Sequence, residues 1–303
     1  MDNLASATHP VASNAPAVAV RGLVKRFDKH EVLRGLDWQV PSGRVIGLLG
    51  RNGAGKTTLL RCLVGLSSID AGSVDLFGAS MAEPGGERLH RLGFVPQTFD
   101  LFPWMKVRGY LDFTAAFYPR WDHTLAERLL DSWQIDRKQK IGQLSQGQRQ
   151  KLAIVRSLAP DPDLLLLDEP VASLDPQARR AFMDELMALV QRPGKTVVFS
   201  THITADLERA GADIALLKDG RIVLESALPE LRQRIRRVRF TRASGWPDAP
   251  PQPGVLRTQV KGDTLEWIVD GVDDASLNAV AAREGATLTI DPMSLEDLFV
   301  ELA

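Results

Sequence analysis

Between Gly50 and Thr57 the chain reads Gly-Arg-Asn-Gly-Ala-Gly-Lys-Thr, the spacing G-x-x-x-x-G-K-[ST]. Glycines at those places let successive backbone N–H groups turn around phosphate oxygens, and a helix beginning there adds the positive end of its dipole. Lys56 is then placed to neutralise β and γ phosphates, and the Thr57 hydroxyl to take one position on Mg²⁺. A second group, Leu164-Leu165-Leu166-Leu167-Asp168-Glu169, reads as a buried parallel strand ending in two carboxylates at the sheet edge where ligands bind. Asp168 suits a Mg²⁺ ligand, directly or through water. Glu169 suits the group that polarises an attacking water. A third group, Leu144-Ser145-Gln146-Gly147-Gln148, opens a helical pattern over Arg149 to Leu158. A serine and a glycine at a helix start make a second anion site, with a hydroxyl and free N–H groups.

Strands and helices must hold these groups. Ala17 to Val24 and Glu31 to Val40 read as a β-rich entry that closes at Pro41 and Ser42-Gly43. Arg44 to Leu49 is a short apolar run, followed by the glycine-rich loop and by helix-forming residues from Lys56 to Leu66. From Val107 to Leu158 the pattern is helical, with Ala126, Leu129, Leu130 and Trp133 on one face. Strand and helix then alternate: a strand Leu164 to Leu167, a helix Pro176 to Gln191, a strand Thr196 to Ser200, a helix from Ile203 and a strand Ile214 to Lys218. A helical lobe inserted into a parallel-sheet core accounts for this order. Near Leu224 the composition changes. Six arginines at 232, 234, 236, 237, 239 and 242 form a run, read as a solvated face of a domain junction, with contact to anionic headgroups as the alternative. After a proline-rich linker, Ser244 to Gly254, come a hairpin over Val255 to Asp270 turning at Lys261-Gly262-Asp263, a helix Asp273 to Glu284, a strand Thr287 to Ile290 and a helix Ser294 to Leu302.

The whole chain has 303 residues, which predicts about two domains. With 37 basic and 38 acidic residues, its net charge of −1 gives no bulk electrostatic reason to bind nucleic acid. The single cysteine, Cys62, excludes an intrachain disulfide and points to a reducing compartment. No run approaches the ~18 to 20 apolar residues of a membrane span. The first 17 residues lack the basic start and apolar stretch of a signal peptide and read as a frayed tail.

Three further motifs fall in order around these groups: Gln97 in Gly93-Phe94-Val95-Pro96-Gln97, Asp175 in Ala172-Ser173-Leu174-Asp175, and His202 after Ser200-Thr201. With them the sequence resembles the nucleotide-binding subunits of ATP-binding cassette (ABC) transporters, over about Val18 to Ser226. The resemblance implies a P-loop NTPase α/β cassette over 18–226. Its RecA-like core would carry a β subdomain and an inserted α-helical subdomain at about 98–158, and 227–303 would form a small α+β domain. It implies an ATPase that binds ATP and Mg²⁺ and works as a head-to-tail dimer, with a second copy of itself or a related ATPase subunit. The phosphate loop, with Gly50, Asn52, Gly53, Ala54, Gly55, Lys56, Thr57 and Thr58, would hold ATP in one chain, and Ser145, Gly147 and Gln148 of the other chain would cover it. Thr57, Asp168 and Gln97 would serve the metal, Gln97 would link it to the helical lobe, His202 would contact the γ phosphate, and Asp175 would act across the dimer. Two positions depart from the family. Phe27 stands where a tyrosine usually stacks on adenine, and a phenyl face still stacks; Gln146 replaces a commoner glycine. The aromatic entrance to the lobe, Phe99, Leu101, Phe102, Pro103 and Trp104, suits docking of a separate integral-membrane permease, which would hold the chain at the inner face of the cell membrane. Tyr118-Pro119-Arg120-Trp121-Asp122 resembles a segment of bacterial subfamilies whose membrane partner is a separate chain, and the closing Pro292-Met293-Ser294-Leu295-Glu296-Asp297-Leu298-Phe299 is similar to the tail of the drug, lipid or polysaccharide exporter group. A soluble regulatory or remodelling ATPase built on the same cassette is the alternative.

Overall fold

Apolar alternation builds the first hairpin. Val18–Phe27 (β1) and His30–Val40 (β2) bury Val18, Val20, Leu23, Leu33, Leu36, Trp38 and Val40 and turn through Asp28, whose φ of 52° is the left-handed value that a tight two-residue turn takes. The computed structural model describes residues 15–98, 101–171, 173–201, 204–246 and 252–302. Val45–Leu49 (β3) leads through the glycine loop into Lys56–Leu63 (α1). Ala71–Leu76 (β4) and Ala79–Ser80 (β5) complete an antiparallel sheet of order β2-β1-β4-β5. Glu87–His90 (α2) and Leu92–Val95 (β6) precede the lobe, whose helices are Val107–Ala115 (α3), His123–Ser132 (α4) and Gln146–Leu158 (α5). The predicted face of Ala126, Leu129, Leu130 and Trp133 is buried. Asp122 caps α4 by accepting the Leu125 N–H, which fixes where that helix starts.

Leu164–Asp168 (β7), Pro176–Val190 (α6), Thr196–Ser200 (β8), Thr204–Ala210 (α7), Asp213–Lys218 (β9) and Arg221–Ala227 (β10) follow. The larger sheet has the order β10-β9-β3-β8-β7-β6. Its β3, β8, β7 and β6 are mutually parallel, so their C-terminal ends share one edge. All residues of β7 and β8 are buried, as expected of parallel strands covered on both faces.

The chain divides into two compact units, Met1–His202 with Leu217–Val223, and Ile203–Leu216 with Leu224–Ala303. The second unit adds Leu228–Arg234 (α8), Ile235–Thr241 (β11), Val255–Lys261 (β12), Thr264–Asp270 (β13), Asp274–Glu284 (α9), Thr287–Asp291 (β14) and Leu295–Leu302 (α10). Its antiparallel sheet, β12-β13-β11-β14, buries Val238, Phe240, Trp267 and Val269 with Leu277 of α9. Residues 203–216 join this unit through Glu208 of α7, which accepts from Arg232 at 2.6 Å and from the Leu295 N–H at 3.2 Å. The arginine run spans α8 and β11 and ends at Arg242 just past them. Every arginine in it faces an acid: Arg232 meets Glu208, Arg234 Asp270, Arg236 Asp274, Arg237 Asp297, Arg239 Asp291 and Arg242 Glu284. The alternation of β11 puts Val238 and Phe240 into the core between them. Charge matched in this way leaves little to attract anionic headgroups.

Candidate functional site

Four parallel strands deliver chemistry to one edge. The loop after β3 ends at Gly55, whose φ of 106° is strained for any residue with a β-carbon and sets the first turn of α1. Lys56 opens that helix, and its Nζ donates to the carbonyls of Gly50 at 2.7 Å and Arg51 at 3.3 Å. Burial lowers its pKa from the ordinary lysine value, while the charges of Glu169 and Asp168 pull it the other way. The ammonium is thus a partly desolvated cation in the field of both carboxylates. Thr57 and Thr58 follow it in the first turn, where helix N–H groups have no intrahelical partner. Asn52 and Gly53 are exposed in the loop and Ala54 is half-buried.

At the end of β7, Asp168 is only 1% exposed. Its Oδ1 accepts from Ser200 Oγ at 2.8 Å, and its buried Oδ2 has no hydrogen-bond partner among the described residues. A buried carboxylate oxygen in that condition is costly unless a cation or donor completes it, which is the setting of a metal ligand. Glu169 follows at φ 50°, and its N–H donates to both the carbonyl and the hydroxyl of Ser200, at 3.2 and 3.1 Å. The parallel register pairs Asp168 with Ser200, so the last residue of β8 serves both acids. Gln97 lies exposed just past β6, on the same edge. His202 lies outside the described residues, as does Phe99.

Ser145 and Gly147 belong to a separate cluster at the head of α5. Ser145 and Gln148 form a capping box: the Ser145 hydroxyl accepts the Gln148 N–H at 3.2 Å, and the Gln148 side chain accepts the Ser145 N–H at 3.0 Å. Gln148 is therefore occupied in holding the helix start. A β-carbon at Gly147 would come within 3.0 Å of the Ser173 carbonyl oxygen. Asp175 caps α6 through the Ala178 N–H at 2.8 Å and pairs with Lys151 at 3.2 Å; these two donors, the backbone one first, hold its carboxyl below the usual range. Phe27, half exposed at the end of β1, presents a ring with the Lys25 ammonium 5.0 Å from its centre.

Where the lobe meets the core, a cavity of about 390 Å³ is lined by Phe102, Tyr110, Phe113 and Phe117 of the lobe and by Leu66 and Leu89 outside it, among others. Leu101 is buried in the lobe, whereas Phe102 and Trp104 are exposed, with ring centres 5.3 Å apart. No motif marks Phe113 and Phe117, 5.1 Å apart on α3 and just beyond it, although their i, i+4 spacing signals a shared face. Nor does a motif mark Ser200, whose signal is its place as the last residue of a strand paired with the acid-bearing one.

The family model described as "ABC transporter" matches residues 33–172. The Nod factor export ATP-binding protein I of Burkholderia thailandensis is 36% identical, over 92% of this chain and 94% of its own length. The protein of that name from Mesorhizobium japonicum is 31% identical, over 98% and 90%. A solved structure described as the dimeric post-hydrolysis state of an ATP-binding cassette, bound to ADP and Pi, matches with a TM-score of 0.62 and 27% identity, covering 70% of this chain and 98% of that one. With the phosphate loop, the paired acids and this fold in hand, the chain belongs to the ABC transporter family, as an ATP-binding subunit that hydrolyses ATP to power transport.

Proposed function

We propose that this subunit drives export through a separate membrane permease, working as a dimer in which each ATP lies between the phosphate loop of one chain and the α5 head of the other. The observation that carries the ATP site is the shared sheet edge: the phosphate loop and Lys56 follow β3, Asp168 and Glu169 end β7, and β8 pairs with both strands between them. Lys56 and the loop N–H groups of Asn52 to Thr58 bind the phosphates, and Phe27 stacks on the base. Ser145 and Gly147 face the partner's nucleotide, with Gln148 holding them in place. Asp168 Oδ2, without a partner among the described residues, would hold Mg²⁺ together with the Thr57 hydroxyl and Gln97, and the ion would supply positive charge against the phosphates. Glu169 accepts a hydrogen bond from the attacking water and orients it, His202 meets the γ phosphate, and Asp175 acts across the dimer. Residues 18–226 form the cassette, with its lobe at about 98–158, and 227–303 an accessory domain.

The cavity between lobe and core, rimmed by the lobe's exposed aromatics, supports docking of a permease helix. Among the described residues no helix is long and apolar enough to cross a membrane. The export-named relatives align over the C-terminal residues as well as the cassette, which favours export over the soluble alternative. The test is Glu169→Gln: turnover falls by roughly 10²- to 10⁴-fold, and an ATP-bound dimer accumulates on size exclusion. Hydrolysis at the wild-type rate would remove Glu169 from the mechanism.

A further inference from the structure

Glu169 has a conformation that its neighbours disfavour. It is a non-glycine residue at φ 50°, and it precedes Pro170, a position that sterics push toward extended backbone. Such strain persists only where surrounding groups over-determine it. On the N-terminal side Ser200 takes the Glu169 N–H. On the C-terminal side the clamp comes from a different element. Gln150 of α5 is 2% exposed, and its Nε2 donates to the Pro170 carbonyl at 2.5 Å and the Glu169 carbonyl at 3.4 Å. A buried side-chain amide whose donors go to these two carbonyls fixes the peptide plane from which the Glu169 side chain departs.

We infer that Gln150 is a positioning residue for hydrolysis, tying the aim of the Glu169 carboxylate to the position of α5. Two other contacts join the same stretch of α5 to the segment after β7: Gly147 packs on the Ser173 carbonyl and Lys151 pairs with Asp175. The inference rests on the reading of Glu169 as the water-orienting group and of the α5 head as facing the opposite nucleotide. Under that reading, when Ser145 and Gly147 engage ATP in one site, Gln150 carries the movement of α5 to the base of the other. Closure then sets the geometry for chemistry rather than only enclosing the substrate.

Gln150→Met keeps the length of the side chain and removes its N–H donors. The expected result is a kcat reduced by about 10²-fold, the scale on which small misplacements act, with the KM for ATP within about threefold. Gln150→Ala is carried alongside, and ATP-driven dimerisation reports that each variant is folded. In a Glu169→Gln background the further effect of Gln150→Met vanishes, because the group it aims is already gone. A kcat within twofold of wild type in folded Gln150→Met overturns the inference. So does an equal loss in the wild-type and Glu169→Gln backgrounds, which would mean that Gln150 acts elsewhere. Wild-type turnover in Glu169→Gln alone would instead sink the base assignment, so the two failures read differently.

Discussion

Ser200 contributes one hydroxyl and one carbonyl, and both acids depend on them. Its Oγ donates to Asp168 Oδ1 and accepts from the Glu169 N–H. In Ser200→Ala, Asp168 stays buried with one oxygen fewer satisfied, and Glu169 keeps only the backbone contact to residue 200. Leaving a buried polar group without its partner costs about 1–3 kcal/mol, so denaturant unfolding is expected to show a loss of that size. The ATPase rate falls with it, because the acids lose their shared anchor. Ser200→Thr retains the hydroxyl and restores both readings; a Ser200→Ala enzyme of unchanged stability and rate would show that the hydroxyl is dispensable.

At the scale of elements, the opposite end of the parallel sheet is held by charge. Asp163, just before β7, accepts from Arg91 at 2.7 Å and Lys195 at 3.1 Å, and Lys195 also meets Asp161. Burial would raise the Asp163 carboxyl, but the hydrogen bonds and charges of Arg91 and Lys195 outweigh it and hold it below the usual range. A depressed carboxylate contributes stability above its unfolded pKa and loses it as pH falls through the folded value, so this junction weakens below about pH 4. Asp163→Asn is expected to lower the melting temperature at pH 7 and to flatten its fall under acid; an unchanged acid slope would assign that fall to other groups. This layer was invisible in the sequence, since Asp161, Asp163 and Lys195 carry no motif and meet only through the pairing of strands. What was legible was local: the Ser145 cap, the glycine loop, the turn at Gly262, and the buried face of α4. Strands β4, β6 and β10 leave little trace in the sequence, because β4 buries only Val74 and Leu76, β6 has four residues, and β10 alternates without a continuous apolar face. Gln150 was hidden for a related reason. A glutamine in a helix looks solvated until the fold brings the Glu169 and Pro170 carbonyls against it.

Under the proposed function the whole molecule must pass what happens at the sheet edge to a membrane partner, and the exposed aromatics of the lobe are the surface proposed for that. Phe113 and Phe117 are 47% and 61% exposed and stack edge-on to each other, while Phe102 meets Phe113 with ring centres 5.9 Å apart. Exposed aromatics gathered around one cavity are poorly explained by internal packing, because much of their area still meets water. Replacing both with aspartate removes apolar contact area and adds charge to the surface a permease helix would bury, yet leaves the phosphate loop, Asp168 and Glu169 untouched. The double variant is therefore expected to keep its basal ATPase rate within about twofold, since surface changes away from special features are usually mild. Copurification with the permease and ATP-driven transport should both fall by tenfold or more, as for loss of an aromatic anchor worth about 1.4 kcal/mol or above. Retained copurification and transport would move the docking surface elsewhere. A parallel collapse of ATPase activity would mean that these rings support the lobe itself, and the two outcomes are separated by assaying the subunit alone before the complex.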